Sequence, residues 1–150
     1  MLYYTREMSY PQVIKKKTVL AFGAFDGLHD GHRFFLRQAR ALGERLIASV
    51  ASDENIAVLK GRAPLSPLAT RIEALAATAL ADEVVAGDVG FDKWSAVKRF
   101  SPEIVALGYD QTHLASALSS HIKKQCLNIA LVTIPAYKPE TLHSRLRRVV

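Results

Sequence analysis

Two histidines three residues apart, His29 and His32, follow an apolar run and a turn in the stretch V-L-A-F-G-A-F-D-G-L-H-D-G-H. Imidazoles serve as general bases, metal ligands or donors to developing charge, and the surrounding pattern selects among these. Residues 19–23 read as a buried strand ending at Gly23. Residues 33–42 read as a helix with Phe35, Leu36, Ala39 and Leu42 on one stripe and Gly43 as its stop. The histidines therefore stand where a strand hands over to a helix, the corner at which parallel α/β folds bind phosphates. At i and i+3 they share one side of the first helical turn. Gly31 between them lets a phosphate approach the backbone. No third or fourth ligand stands at zinc-site spacing, so phosphate chemistry is expected there and metal ligation is not.

The elements that must hold this corner alternate along the chain. Strands are expected at residues 45–51, 83–86, 104–107 and 129–134, after the first at 19–23. Asp53 is expected to cap a short helical turn reaching Val58, before a polar loop K-G-R-A-P that carries Lys60 and Arg62. Ser66-Pro67 reads as a helix start with Ser66 as the cap, followed by Leu68, Ile72, Leu75, Ala76 and Ala79 at helical spacing. Further helices are expected at residues 93–100, burying Trp94 and Val97, at 113–125, and in the tail from Leu142. Cys126 falls in an apolar helix-to-strand junction and is read as core.

Alternating βαβ units predict a Rossmann-like, doubly wound α/β fold: five parallel strands in the order 3-2-1-4-5 with helices on both faces. In that order strands one and four are neighbours at the switch point, where ligands bind beyond the carboxyl ends of the strands. The loop after strand one carries the histidines, and the loop after strand four carries Gly108-Tyr109-Asp110-Gln111. Two distant segments should thus face one crevice. Asp110 could meet a base or ribose there, or cap the next helix. Asp26 is read as ordering its turn.

The 150 residues are 49% hydrophobic, enough for one domain with an ordinary core, placed at residues 18–150 after an extension at 1–17. No apolar run is long enough to span a bilayer, the N-terminus has no signal-peptide core, and one cysteine cannot form an internal disulfide. A cytoplasmic protein without membrane partners is expected. The net charge of +6 is dispersed, with no aromatics interleaved among the basic residues, so nucleotide phosphates explain it better than a nucleic-acid partner does.

The H-D-G-H segment after G-A-F-D-G-L resembles the HxGH signature of the cytidylyltransferase-like nucleotidyltransferases, over nearly the whole chain beyond the extension. A-L-G-Y-D-Q, K-G-R-A-P and the late His-Ser pair are most similar to archaeal-type FAD synthases, which adenylylate FMN. The resemblance implies ATP and FMN as substrates, Mg²⁺ carried by phosphate oxygens and water, and possible homodimers. It implies His29, His32 and Lys60 as catalytic groups. Around the nucleotide it places Gly23, Ala24, Phe25, Asp30, Gly31, Arg71, Gly108, Asp110, His143 and Ser144 beside the two histidines. Lys60 and Arg62 would hold the acceptor phosphate. An acceptor that is already an anion needs no strong base, so catalysis rests on positioning and on neutralising charge moving to pyrophosphate.

Two departures stand out: Ala24 replaces the family's threonine, and L-H-S-R-L-R-R is one small hydroxyl residue short of the H-S-S type of tail. The alternatives are a cytidylyltransferase acting on a small phosphorylated alcohol such as glycerol 3-phosphate, and a non-catalytic nucleotide-binding regulatory module.

Overall fold

The computed structural model describes residues 2–3, 12–13 and 16–138. Five strands, β1 (Thr18–Gly23), β2 (Arg45–Val50), β3 (Glu83–Ala86), β4 (Ile104–Gly108) and β5 (Ala130–Ile134), form one sheet. All its pairings are parallel and its order is β3-β2-β1-β4-β5, the doubly wound arrangement expected. A separate antiparallel ribbon pairs Leu2–Tyr3 with Gln12–Val13.

Both faces of the sheet are covered, which is why its strands read as unbroken apolar runs. Val19 and Ala21 of β1, with Leu46, Ala48 and Val50 of β2, pack under α1 (Asp30–Arg40) and α3 (Leu68–Ala77). Leu20, Ile47, Val105 and Leu107 face α4 (Ser95–Phe100) and α5 (Thr112–Lys124) through Val97 and Leu118. Each fully buried Leu or Val contributes about 1.5–3 kcal/mol. One more helix, α2 (Asp53–Lys60), joins β2 to α3. It follows the carboxyl end of β2, with Ile56 buried and Asn55 bonded to the loop after β3. Among the described residues no helix is long and apolar enough to cross a membrane.

Several helix boundaries differ from the sequence reading, each for a local reason. α1 begins three residues earlier than expected because His29 caps it with its ring. Ser52, not Asp53, caps α2: its hydroxyl accepts from the Asn55 N–H at 3.1 Å, and Asp53 moves into the first turn. The helix runs on to Lys60, so that lysine ends α2 and is not in the loop, and Gly61 closes it in the left-handed conformation (φ 68°). Pro67, not Ser66, stands at the N-cap of α3. Cys126 is exposed, with φ of 53°, and is not core. The expected tail helix lies outside the described residues.

Candidate active site

The turn after β1 is folded tightly by its own aromatic. Phe25 takes a left-handed φ of 50° and is 3% exposed. Its ring folds back over Gly23, where a Cβ would come within 2.8 Å of it. The chain then reaches His29, whose extended backbone (φ −138°, ψ 179°) makes it the N-cap of α1. The His29 Nδ1 accepts from the Gly31 N–H at 3.0 Å, and the His32 Nδ1 accepts from the His29 N–H at 3.3 Å. The two imidazoles thus form a reciprocal cap of the kind usually made by serine and glutamate. They stack with centroids 3.8 Å apart. Gly31 is required for a reason other than phosphate access: a Cβ there would stand 2.8 Å from the His29 ring.

This geometry fixes what the rings can do. With each Nδ1 accepting from backbone, the hydrogen-bond pattern assigns the N–H of each neutral ring to Nε2, which makes no hydrogen bond to another described residue. Asp30 in the first turn and the free amides of the helix end surround them. His32 is half-buried, and its pKa is lowered to about 4. Burial is the main cause, followed by the charges of His29, Lys60 and Arg33, with Asp26 opposing. His32 is therefore a neutral donor at pH 7 and neither a base in waiting nor a fixed cation. The unfolded chain takes up this proton near pH 6.5 and the folded chain only near 4. Stability is therefore expected to fall as pH drops from about 6.5 to about 4. Urea titrations across that window would show a midpoint rising with pH, and the slope should flatten in a variant lacking His32, leaving the part that Asp26 adds at the acid end.

A second set of contacts ties the corner to the segment after α2. Both carboxylate oxygens of Asp26 accept backbone N–H groups, from Leu65 at 2.6 Å and Ser66 at 3.1 Å. Burial alone would raise its pKa, but these two bonds, aided by Arg71 and Lys60, hold it below the usual carboxylate value. Arg71 is 1% exposed. Its Nε donates to the Ser66 carbonyl at 2.9 Å, one terminal nitrogen to the Ala24 carbonyl at 2.8 Å, and the other to Asp53 at 2.6 Å. One guanidinium thus knots three chain segments beneath the histidine corner.

The crevice itself opens between β1 and β4. They pair from Val19–Ile104 to Ala21–Ala106 and then part, although each strand continues for two residues. The side-chain amide of Gln111 bridges the split: its Oε1 accepts from the Gly108 N–H at 2.7 Å and its Nε2 donates to the Phe22 carbonyl at 2.9 Å. Asp110 is exposed beside it, its Oδ1 3.1 Å from where a Gly108 Cβ would be. Gln111, not Asp110, stands at the N-cap of α5.

A family model described as cytidylyltransferase-like matches residues 20–144. The chain belongs to the cytidylyltransferase-like family. It is 42% identical over 127 residues to the FAD synthase of Thermococcus sibiricus, covering 84% of this chain and 86% of that one. It is also 39% identical over 120 residues to the FAD synthase of Methanosarcina barkeri, covering 80% and 84%. Among solved structures it is similar to a lipopolysaccharide core biosynthesis protein from Thermoplasma volcanium. That match has a TM-score of 0.75 and 31% identity, over 83% of this chain and all of that one.

In this cytidylyltransferase-like chain the sequence-predicted residues fall into three groups. Gly23, Ala24, Phe25, His29, Asp30, Gly31 and His32 meet at one corner, with Lys60 close enough for its charge to reach both His32 and Asp26. Gly108 and Asp110 lie one strand away, across the bridged split. Arg71 sits beneath the corner with its donors turned onto protein groups, and Arg62 is exposed, donating weakly to the Ala63 carbonyl at 3.4 Å. His143 and Ser144 lie outside the described residues. Gln111, a weaker candidate in the loop after strand four, organises the crevice, and Asn55 organises the α2 side with no signal in the sequence, because an asparagine bonded across the chain leaves no periodic mark.

Proposed function

We propose that this nucleotidyltransferase transfers AMP from ATP to the phosphate of FMN, giving FAD and pyrophosphate. The observation that carries the reading is the reciprocally capped His29–His32 pair at a helix N-terminus, with both Nδ1 atoms committed to backbone and Nε2 left as the donor, in a chain about 40% identical to archaeal FAD synthases. An FMN phosphate oxygen attacks the α-phosphorus of ATP. The bond from that phosphorus to the bridging oxygen breaks, and the oxygen leaves with the electron pair as pyrophosphate. His29 and His32 donate to phosphate oxygens that gain charge as this happens, Lys60 neutralises oxygens on the acceptor side, and no proton need be removed. The crevice bridged by Gln111 receives the nucleoside, with Asp110 at its mouth. Arg71 serves the nucleotide by holding the loop that carries Ala24.

Magnesium fits this site as a companion of ATP. Asp26 commits both carboxylate oxygens to backbone N–H groups. Among the described residues no three His, Cys, Asp or Glu side chains are grouped to hold an ion. When bound with ATP, the ion would be held by triphosphate oxygens and water and would supply charge neutralisation on the leaving group. The reaction belongs in the cytoplasm. The decisive assay offers purified protein FMN with ATP or CTP and follows FAD and pyrophosphate. FAD with ATP is the expected product. A dinucleotide formed only with CTP, or pyrophosphate released only with a small phosphorylated alcohol, would replace the reading by the cytidylyltransferase one. Tight ATP binding with no turnover on any acceptor would replace it by the regulatory one.

A further inference from the structure

Seven large hydrophobic side chains are exposed among the described residues, and six of them belong to segments that leave the carboxyl ends of strands. Only Leu127 lies elsewhere, on the approach to β5. Tyr109 stands at the nucleotide crevice, and the other five, Val58, Leu59, Leu65, Val89 and Phe91, lie on the β2–β3 side. Scattered exposed apolar groups are ordinary, but this concentration along one edge is not. Val58 is 70% exposed, Leu59 66% and Phe91 48%.

The rim is built, not loose. Asn55 donates to the Asp88 carbonyl at 3.2 Å and the Gly90 carbonyl at 2.8 Å, and accepts from the Gly90 N–H at 2.9 Å. Val58 and Leu59 stand three and four residues on, so they share the face of α2 that Asn55 ties to the loop bearing Val89 and Phe91. The same loop is fixed by Lys93 to the Val89 carbonyl at 2.6 Å, and by the Ser95 N–H to Asp88 at 3.0 Å. Leu65 is held at the other flank by the Asp26 bond, its methyl 3.8 Å from a Cβ placed on Gly27. Lys60 follows Leu59 directly and faces the histidine corner. A cation at one end of an apolar ledge matches a ligand with a phosphate at one end and a flat, poorly hydrated ring at the other.

We infer that Leu59, Leu65, Val89 and Phe91 form the platform for the ring of the acceptor, setting this site's preference for a flavin phosphate over smaller phosphorylated alcohols. The inference rests on the proposed FMN reaction and assigns residues to its acceptor half. The nucleoside occupies the β1–β4 split, and the acceptor must reach the α-phosphorus opposite the departing pyrophosphate. The rim on the β2–β3 side is the apolar surface available there.

The test uses Leu59→Ser and Phe91→Ser, both at exposed positions where folding tolerates the change. Riboflavin, the ring without the phosphate, and FMN are titrated by flavin fluorescence, and KM values are measured for FMN and ATP. Each variant is expected to weaken riboflavin and FMN binding about tenfold and to raise the FMN KM alike, with the ATP KM unchanged. Flavin titrations and FMN KM equal to wild type would overturn the platform while leaving FAD synthesis standing. So would a wild-type dimer that the variants dissolve with no change in flavin binding, since the rim would then meet a second copy. Should wild type make no FAD, the function falls, and the titrations still judge the rim: riboflavin bound by wild type and lost in the variants keeps it.

Discussion

Replacing His32 by asparagine is expected to slow adenylyl transfer by about 10²–10³-fold while the thermal midpoint stays within a few degrees of wild type. The choice of asparagine follows from the cap. Its Oδ1 can take the place of Nδ1 and accept from the His29 N–H, so the helix start survives, but nothing remains where Nε2–H had pointed. Glutamine, a usual N3 residue of a capping box, can also accept from the His29 N–H with its Oε1, and its longer arm keeps an amide N–H donor beyond it. The two variants should therefore part in rate and not in stability, with His32→Gln keeping more of the rate and both holding the helix start. Single-turnover rates and melting curves on the same preparations check this. Wild-type turnover by His32→Asn would remove the residue from its assigned role.

The second large effect is on stability. Arg71→Met keeps most of the buried volume but strips a donor from each of three acceptors, the carbonyls of Ala24 and Ser66 and the carboxylate of Asp53. Leaving such groups unpaired in a site that is 1% exposed should cost about 3 kcal/mol, or about 6–12 °C in the midpoint of a chain this size. Asp53 is itself 42% exposed, so its share is the smallest, and adding Asp53→Asn should recover only about 1 kcal/mol in a double-mutant cycle. A variant that melts like wild type but has a raised KM for ATP would instead place the guanidinium on the nucleotide.

These two residues mark how far the sequence carries. The strands were legible because both faces of the sheet are covered, so each is a short apolar run punctuated by glycine, proline or a polar turn. The switch point followed from their order, and with it the meeting of the histidine corner and the Gly108 loop. Caps are less legible. A histidine cap is chemically sound but uncommon among cap residues, so the sequence pattern points to a later start for α1. At α2 and α3 the true cap stands one residue from an equally plausible neighbour. Arg71 illustrates the deeper limit: its partners Ala24 and Asp53 lie 47 and 18 residues away, and nothing in its own helix announces that it is buried. The apolar rim was invisible for a related reason. A leucine in a polar loop reads as a stray residue until the fold sets it beside four others.

The knot of Arg71 and Asp26 bears on how such a chain can change. The segment from Gly61 to Ser66 is bolted at its far end to the turn after β1, so its backbone cannot be exchanged for a relative's without also exchanging the residues that grip it. Side chains on the rim carry no such bolts. Divergence toward a new acceptor would then proceed by repainting the ledge, one leucine or phenylalanine at a time, over an undercarriage that stays the same.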